Sequence, residues 1–241
     1  MSPEQQLQPS SVAAVLEYLA GSPRHDRPLE GLLQRVADLT KTVMPGHSEA
    51  SVVLLVRELP STVVATGRLA ADLDQGQFER GDGPCLHAAG SREIAEIADT
   101  RSETRWPDHV RHAAAHGNLS SLSVPLVIGD PQVAGALNIY ARQPSAFDPA
   151  SRSAATRIAP CVAVAVESLH LHRRAVKRAD KLEAALASRA VIEQAKGILI
   201  ERHKVTADEA FHVLARASIH THVKVRRLAE HLVHTGELSR W

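Results

Sequence analysis

Apolar residues fall along this chain in helical spacing in some stretches and in short unbroken runs in others, and the switches between the two outline its parts. Leu29, Leu32, Leu33, Val36, Leu39 and Val43 fall three or four apart. That spacing predicts a helix over 28–44 with one buried side, stopped by Pro45-Gly46. A shorter helix is expected over 11–20, behind a polar, mobile tail of residues 1–10. Residues 50–56 and 61–67 are aliphatic, β-branched runs that predict two strands, joined at Glu58-Leu59-Pro60. A weaker stretch follows, through Gly81-Asp82-Gly83-Pro84-Cys85-Leu86, before a short strand near 93–97. Residues 105–116 read as a helix, and 119–128 and 132–142 as strands that Gly129-Asp130 joins into a hairpin. From Asp148 to about 203 the pattern is helical, with Pro160 expected as an early kink or a helix start.

The remainder reads as three short amphipathic segments. Val191, Ile192, Ala195, Ile198 and Leu199 form one apolar face, with Arg189, Lys196 and Arg202 off it. Thr206 followed by Glu209 is a capping box, so a new helix starts there, with Phe211 and Leu214 expected in its core. A last helix over 222–235 turns Val225, Leu228, Ala229, Leu232 and Val233 inward and stops at Gly236. Ahead of these, Val162, Leu169 and Val176 recur at seven, with Ala165, Ala179, Leu182 and Leu186 alongside. This predicts a short coiled-coil seam, made imperfect by Glu183. For 150–166, packing on the chain's own sheet is the expected reading, and the dimer seam is expected beyond Leu169. Helices flanking an antiparallel hairpin sheet make the fold class α+β, not a doubly wound parallel sheet.

Composition changes this picture little. The 241 residues carry a net charge of +1, but residues 181–241 hold ten Lys/Arg against seven Asp/Glu, and the rest is net negative. A basic C-terminal end suits a nucleic-acid module without requiring one. The first residues lack a basic and an apolar signal-peptide region, and no apolar run reaches the roughly 20 residues of a membrane span. Cys85 and Cys161 have neither metal-ligand nor redox spacing. The expected location is the bacterial cytoplasm, with reduced thiols and no membrane partner.

Arg189, Ile192, Ala195-Lys196-Gly197, Ile198-Leu199, Ala210-Phe211 and Leu214 follow a pattern that continues through Ala217-Ser218, Lys224-Val225 and Ala229. The segment resembles the ANTAR domain, an RNA-binding module of bacterial transcription antiterminators. One departure is Ala215, where the family often has Arg, with Arg216 beside it. Upstream, Gly81-Asp82-Gly83-Pro84-Cys85, Arg105-Trp106-Pro107, Ser123-Val124-Pro125-Leu126, Gly135-Ala136-Leu137-Asn138-Ile139-Tyr140 and Phe147-Asp148 resemble a GAF domain, a signal-sensing fold. This pairing is similar to that of actinobacterial GAF-ANTAR regulators. It implies a mobile tail at 1–10, a sensor at 11–168, a helical linker at 169–187 and an RNA-binding unit at 188–241. The implied partners are tandem RNA hairpins in leader transcripts, a small molecule at the sensor, and a second copy in a homodimer. No cofactor is specified.

The candidate RNA-binding residues are Arg189, Lys196, Gly197, Arg216, Ser218, Lys224 and Arg226. Gly within a helix costs about 1 kcal/mol relative to Ala. At Gly197, either close packing of the last helix or the approach of an RNA backbone supplies a reason. Lys224, Arg226 and Arg227 crowd a helix start, where positive charge opposes the dipole. Ser218 either donates to RNA or caps its own helix. Aromatics are only 3% of the chain, so cations and shape are expected to outweigh base stacking. The sensor candidates are Cys85, His87, Asn138 and Tyr140. Cys85 reads as a small buried hydrophobe or as a redox or ligand sensor whose pKa His87 lowers. His220, His222, His231 and His234 suggest zinc, but no Cys accompanies them, and no metal site is expected. Two other functions stay open: a DNA-binding helix-turn-helix over 206–236, and a Cys-dependent enzyme pairing Cys85 with Cys161. No aspartate-rich phosphorylation pocket is visible, and no catalytic residue is assigned.

Overall fold

The computed structural model of the chain describes residues 29–238; the tail at 1–10 and the helix at 11–20 lie outside the described residues. Helix α1 (Leu29–Val43) precedes strands β1 (Glu49–Val56) and β2 (Leu59–Ala65). Arg57 and Glu58 turn between those strands with φ of 51° and 66°. Helices α2 (Arg68–Arg80) and α3 (Pro84–Ser91) follow, then β3 (Ala95–Ile97), α4 (Pro107–Ala115), β4 (Ser120–Pro125) and β5 (Val133–Ala141). Helix α5 runs from Pro149 to His203, and α6 (Ala207–Thr221) and α7 (Val225–Thr235) complete the described chain. The α+β class holds.

The five strands form one antiparallel sheet in the order β2-β1-β5-β4-β3. Strand alternation gives this sheet two unlike faces. Val52, Leu54, Leu122, Val124, Leu137 and Ile139 point one way, onto Leu33, Val36 and Ala37 of α1 and Ile158, Val162, Val166 and Leu169 of α5. Burying this many aliphatic side chains, at about 1.5–3 kcal/mol each, makes it the main core. The other face carries Ser51, Ser121, Ser123, Asn138 and Tyr140, all buried. In register, Asn138 lies between Ser51 and Ser123, and Tyr140 lies between Glu49 and Ser121.

The weak stretch before β3 holds two helices that the apolar period did not reveal. Helix α2 buries Leu69, Ala70 and Leu73, but also Asp74 and Gln77, so its inward stripe is part polar. The N-cap of α2 is Gly67, which offers no side chain. Glu49 reaches over from β1 instead, its Oε2 accepting from the Ala70 N–H at 3.0 Å. A carboxylate there satisfies a free donor and complements the helix dipole. Gly81 ends α2 in the left-handed conformation, and Pro84 opens α3. Gly83 between them has φ of 145°, and a Cβ there would lie 2.4 Å from Gln77 Oε1.

Helix α5 continues through Pro160, so no helix starts there. It contains a window long and apolar enough to cross a membrane, but half of that window is buried. Packing on the sheet accounts for its composition. Val162 and Ala165 lie in the sheet's own core, as the reading of 150–166 has it, and Leu169, where the seam was expected to take over, joins them. The described residues divide into two compact units, the first ending at Leu171 and the second starting at His172.

In the second unit, the end of α5 packs with α6 and α7 around Ala195, Leu199, Ala210, Leu214, Ala229 and Leu232. The capping box at α6 is closed: the Glu209 N–H donates to Thr206 Oγ1 and the Thr206 N–H to Glu209 Oε2. The last helix starts at Val225 rather than 222, because His222 ends α6 at φ 55° and Lys224 is the next N-cap. Phe211 corrects an expectation. It is 43% exposed, because Ala210 and Leu214 take the inward face and Phe211 sits beside it.

Candidate functional site

In the sheet unit, α2, α3 and the polar sheet face enclose a connected set of side chains. Asp74 is fully buried, with no cation against it among the described residues. Its Oδ1 accepts from the Tyr140 hydroxyl at 2.6 Å and from Asn138 Nδ2 at 3.2 Å, and its Oδ2 accepts from Thr62 Oγ1 at 2.9 Å. Gln77 Nε2 donates to the Tyr140 oxygen at 3.1 Å, while Gln77 Oε1 accepts from the Cys85 N–H at 2.8 Å. Gln77 therefore ties the start of α3 to the sheet, and Gly83 leaves the room for it. Asn138 Nδ2 also lies 3.1 Å from Cys85 Sγ and 3.3 Å from Ser51 Oγ.

Burial dominates the protonation chemistry here. It raises the Asp74 carboxyl from 3.8 to about 6, with hydrogen bonds from Tyr140, Ser51, Thr62 and Asn138 pulling it partly back. Burial and then the Asp74 charge push the Cys85 thiol and the Tyr140 phenol well above their usual values. Cys85 is a protonated thiol in this setting, which removes the nucleophilic thiolate that redox sensing needs. His87 gives it no help, because it is exposed and lies against Trp106 with ring centroids 5.7 Å apart. Nor does Cys161 approach it. Cys85 packs with Val53 and Ala136 on the polar side of the sheet, whereas α5, which carries Cys161, packs on the opposite face.

Asn138 Oδ1, Ser121 Oγ and Ser123 Oγ are buried without a hydrogen-bond partner among the described residues. Left unpaired, each such atom costs about 1–3 kcal/mol, so three on neighbouring strands of one face call for a water or another small polar partner. His109 of α4 is a further case. Both ring nitrogens lack a partner, and burial, then His112 and Arg80, lowers its pKa to about 4, leaving it neutral. Of the four sensor candidates, the structure joins Cys85, Asn138 and Tyr140 and separates His87. Asp74, Gln77, Thr62, Ser51, Ser121 and Ser123 were not visible as site residues in the sequence. The only signal was the spacing of Leu69, Leu73 and Gln77 along α2.

The second unit places Arg189, Gly197, Arg216, Lys224 and Arg226 on its exposed surface. Lys196 is mostly covered, its side chain 15% exposed, with Nζ 2.9 Å from the Glu193 carboxylate. Arg226 pairs with Glu230 at 2.7 Å. Ser218 Oγ donates to the Val223 carbonyl at 2.6 Å, so it holds the α6–α7 turn. Gly197 settles one alternative: a Cβ there would meet nothing within 4 Å, so helix packing does not require the glycine. It borders an open groove of about 740 Å³ lined by Gln194, Gly197, Ile198, Glu201, Arg202 and Val233. Among the described residues no cluster of three His, Cys, Asp or Glu side chains could hold a metal ion.

Gly197→Ala follows directly as a test. With open space around the new methyl, the variant should stabilise α5 by about 1 kcal/mol. A denaturant midpoint that falls instead would reveal a crowded backbone.

The model of the family described as GAF domain matches residues 26–167, and that described as ANTAR domain matches 180–233. No curated protein matches the chain. Among solved structures, the reduced form of fRMsr of Staphylococcus aureus is similar at 16% identity and a TM-score of 0.51, covering 68% of this chain and 99% of that one. Free methionine-R-sulfoxide reductase from Neisseria meningitidis, in complex with its substrate, gives 16% and 0.51, covering 67% and 89%. A structure of the GAF domain also gives 16% and 0.51, covering 65% of this chain and 87% of that one. At these identities the likeness shows the fold alone.

Proposed function

This chain belongs to the GAF domain family and carries a C-terminal ANTAR domain, and from that premise we propose that it is a signal-responsive transcription antiterminator. A regulator with a sensor domain is the plain meaning of the pairing. The finer reading is that the ANTAR unit captures paired RNA stem-loops and so keeps a terminator hairpin from forming. The boundaries we propose are 11–168 for the sensor, 169–187 for the linker and 188–241 for the RNA-binding unit, in a cytoplasmic protein.

The observation that carries the RNA reading is the open helix surface at Gly197. A mid-helix glycine that serves no internal packing, with Lys196 beside it and a groove in front, suits close approach of an outside backbone. The ion pairs at Lys196 and Arg226 do not oppose this. The exposed Arg226–Glu230 pair contributes about 0–1 kcal/mol, and Glu193, the partner of Lys196, is itself more than half exposed, so either carboxylate can give way to a phosphate. Exposed Phe211 adds an aromatic face, so base stacking enters the reading where the sequence argued against it.

Reversing a 1:99 equilibrium between RNA folds takes about 5.5 kcal/mol of differential affinity. Two hairpins held by a dimer reach that more readily than one. Ala175, Ala179, Leu182 and Leu186 recur at three and four along the exposed part of α5, and a second copy pairing there is the dimer we propose. In the sensor, the unpartnered Asn138, Ser121 and Ser123 atoms favour a small polar ligand as the signal. The buried, protonated Cys85 argues against a thiol-based enzyme.

The test is binding of the full chain to a tandem hexaloop-hairpin RNA across a salt series, against duplex DNA of equal length. Preference for the RNA with a steep negative log–log salt slope is expected. Equal or stronger binding to the duplex would favour the helix-turn-helix reading. Lys196→Met, which keeps the packed stem, combined with Lys224→Ala should weaken RNA binding about tenfold with the melting temperature nearly unchanged. A large loss of stability would assign both positions to structure.

A further inference from the structure

Asn138, Ser121 and Ser123 are fully buried, yet Asn138 Oδ1 and both serine hydroxyls have no hydrogen-bond partner among the described residues. The chemistry of Asp74 fixes which way the Asn138 amide points. An ionised carboxylate only accepts, so the amide nitrogen is the end that faces Asp74 and, on β1, Ser51. That leaves Oδ1 towards β4, where Ser123 is the register neighbour of Asn138. A serine hydroxyl beside an amide oxygen on the next strand is placed to donate to it, and here it does not.

Two helices close over these atoms. Helix α3 buries Cys85, Ala88 and Ala89. Ser121 lies in register between Ile97 and Tyr140, and α4 packs on both, Val110 in the cluster of Ile97 and Ala113 in that of Tyr140. The buried side of α4 thus crosses above Ser121, and it also carries His109, whose ring nitrogens are unpartnered as well.

The chemistry of this set is one-sided. It offers hydroxyls, an amide oxygen and a neutral imidazole, and no cation. Arg80, whose charge reaches His109, donates instead to the Gly76 carbonyl at 2.5 Å. The helix starts are taken too: Glu49 covers that of α2, Gln77 accepts from the Cys85 N–H of α3, and Asp108 occupies the first turn of α4. A phosphate or carboxylate therefore finds no donor here. Asp74 adds negative charge behind the Asn138 amide, which polarises Oδ1 into a stronger acceptor. Size narrows the class further. Ser121 and Ser123 are separated by about 6.8 Å of strand rise. One water, reaching about 2.8 Å to either side, spans about 5.6 Å at most. A molecule of a few heavy atoms serves all three groups, while the covering helices exclude anything as large as a nucleotide.

We propose that Asn138, Ser123 and Ser121, with His109 above them, bind one small uncharged molecule of the carboxamide or urea class. Its N–H groups donate to Asn138 Oδ1 and Ser123 Oγ, and its carbonyl accepts from the Ser121 hydroxyl. This rests on the reading of the sheet unit as the sensor of a small polar ligand.

Titrating the full chain with acetamide, acetate and N,N-dimethylacetamide tests this, read from the backbone amide resonances of β4 and β5. Acetate replaces the N–H donors with a charge, and dimethylacetamide lacks them. Acetamide alone should shift the amides of residues 121–123 and 137–139. Ser121→Ala/Ser123→Ala should weaken acetamide binding about tenfold, the loss of two ordinary hydrogen bonds. Its melting temperature without ligand should be unchanged or higher, because no partner inside the fold is lost. Equal or stronger shifts with acetate or dimethylacetamide would overturn the uncharged donor class and keep the sensor reading. Unchanged acetamide affinity in the alanine variant, or a sharply lower melting temperature, would overturn the site assigned to these serines. No shift with any of the three would leave the atoms to water, and both the site and the polar-ligand reading would fall.

Discussion

Asp74→Asn is expected to change strongly how the stability of the sheet unit depends on pH. The folded carboxyl titrates at about 6 and the unfolded one near 3.8. Below pH 4 both states are protonated. As pH rises towards 6, the unfolded chain loses its proton while the folded one retains it, so stability falls. A shift of about two pKa units makes that loss about 3 kcal/mol, complete above pH 6.

His109 acts in the opposite direction. Its folded pKa is about 4 against an unfolded 6.5, so stability is lost as pH falls from 6.5 towards 4. The two groups offset each other in the wild type over much of that window. Asn at 74 keeps an acceptor for Tyr140 but carries no buried charge. The variant should therefore be about as stable as wild type or more so at pH 7.5. It should also lose stability steeply below pH 6, where His109 stands uncompensated. Denaturant midpoints from pH 4 to 7.5 for both proteins check this, and parallel curves would show that Asp74 titrates normally.

Leu214→Ala should unfold the C-terminal bundle and leave the sheet unit standing. The bundle core has six fully buried apolar residues, three of them alanine, so Leu199, Leu214 and Leu232 supply most of its buried surface. Removing one buried leucine costs about 2–5 kcal/mol, and a unit this small has little in reserve. Hydrogen exchange should show amides of α6 and α7 losing protection while those of β1, β4 and β5 keep theirs. RNA binding should disappear with the bundle. Uniform loss of protection through both regions would mean that the two units fold as one.

Much of this organisation was written in local pattern. Short aliphatic, β-branched runs bounded by turn residues marked β1, β2, β4 and β5. Gly129-Asp130 marked the hairpin, and Thr206 with Glu209 marked the start of α6. These signals survive in a single sequence because each depends on neighbours within a few residues. Helices α2 and α3 were missed for an equally definite reason. Their inward faces hold Asp74, Gln77 and Cys85 beside Leu69 and Leu73, so the apolar period that announces an amphipathic helix is diluted at the site itself. Phe211 failed in the other direction. Its hydrophobicity suggested the core, but Ala210 and Leu214 already filled the inward positions.

The sequence by itself determined the α+β class, the order of the elements and the GAF-ANTAR pairing, because backbone periodicity and motif spacing are local properties. Only the tertiary structure decided that Asp74, Asn138, Tyr140 and Cys85 meet, since strands and helices distant along the chain converge there. It also decided their chemistry. A carboxyl at about 6 and a thiol held protonated follow from the loss of water around them, and desolvation is a property of the packed interior that no residue carries alone.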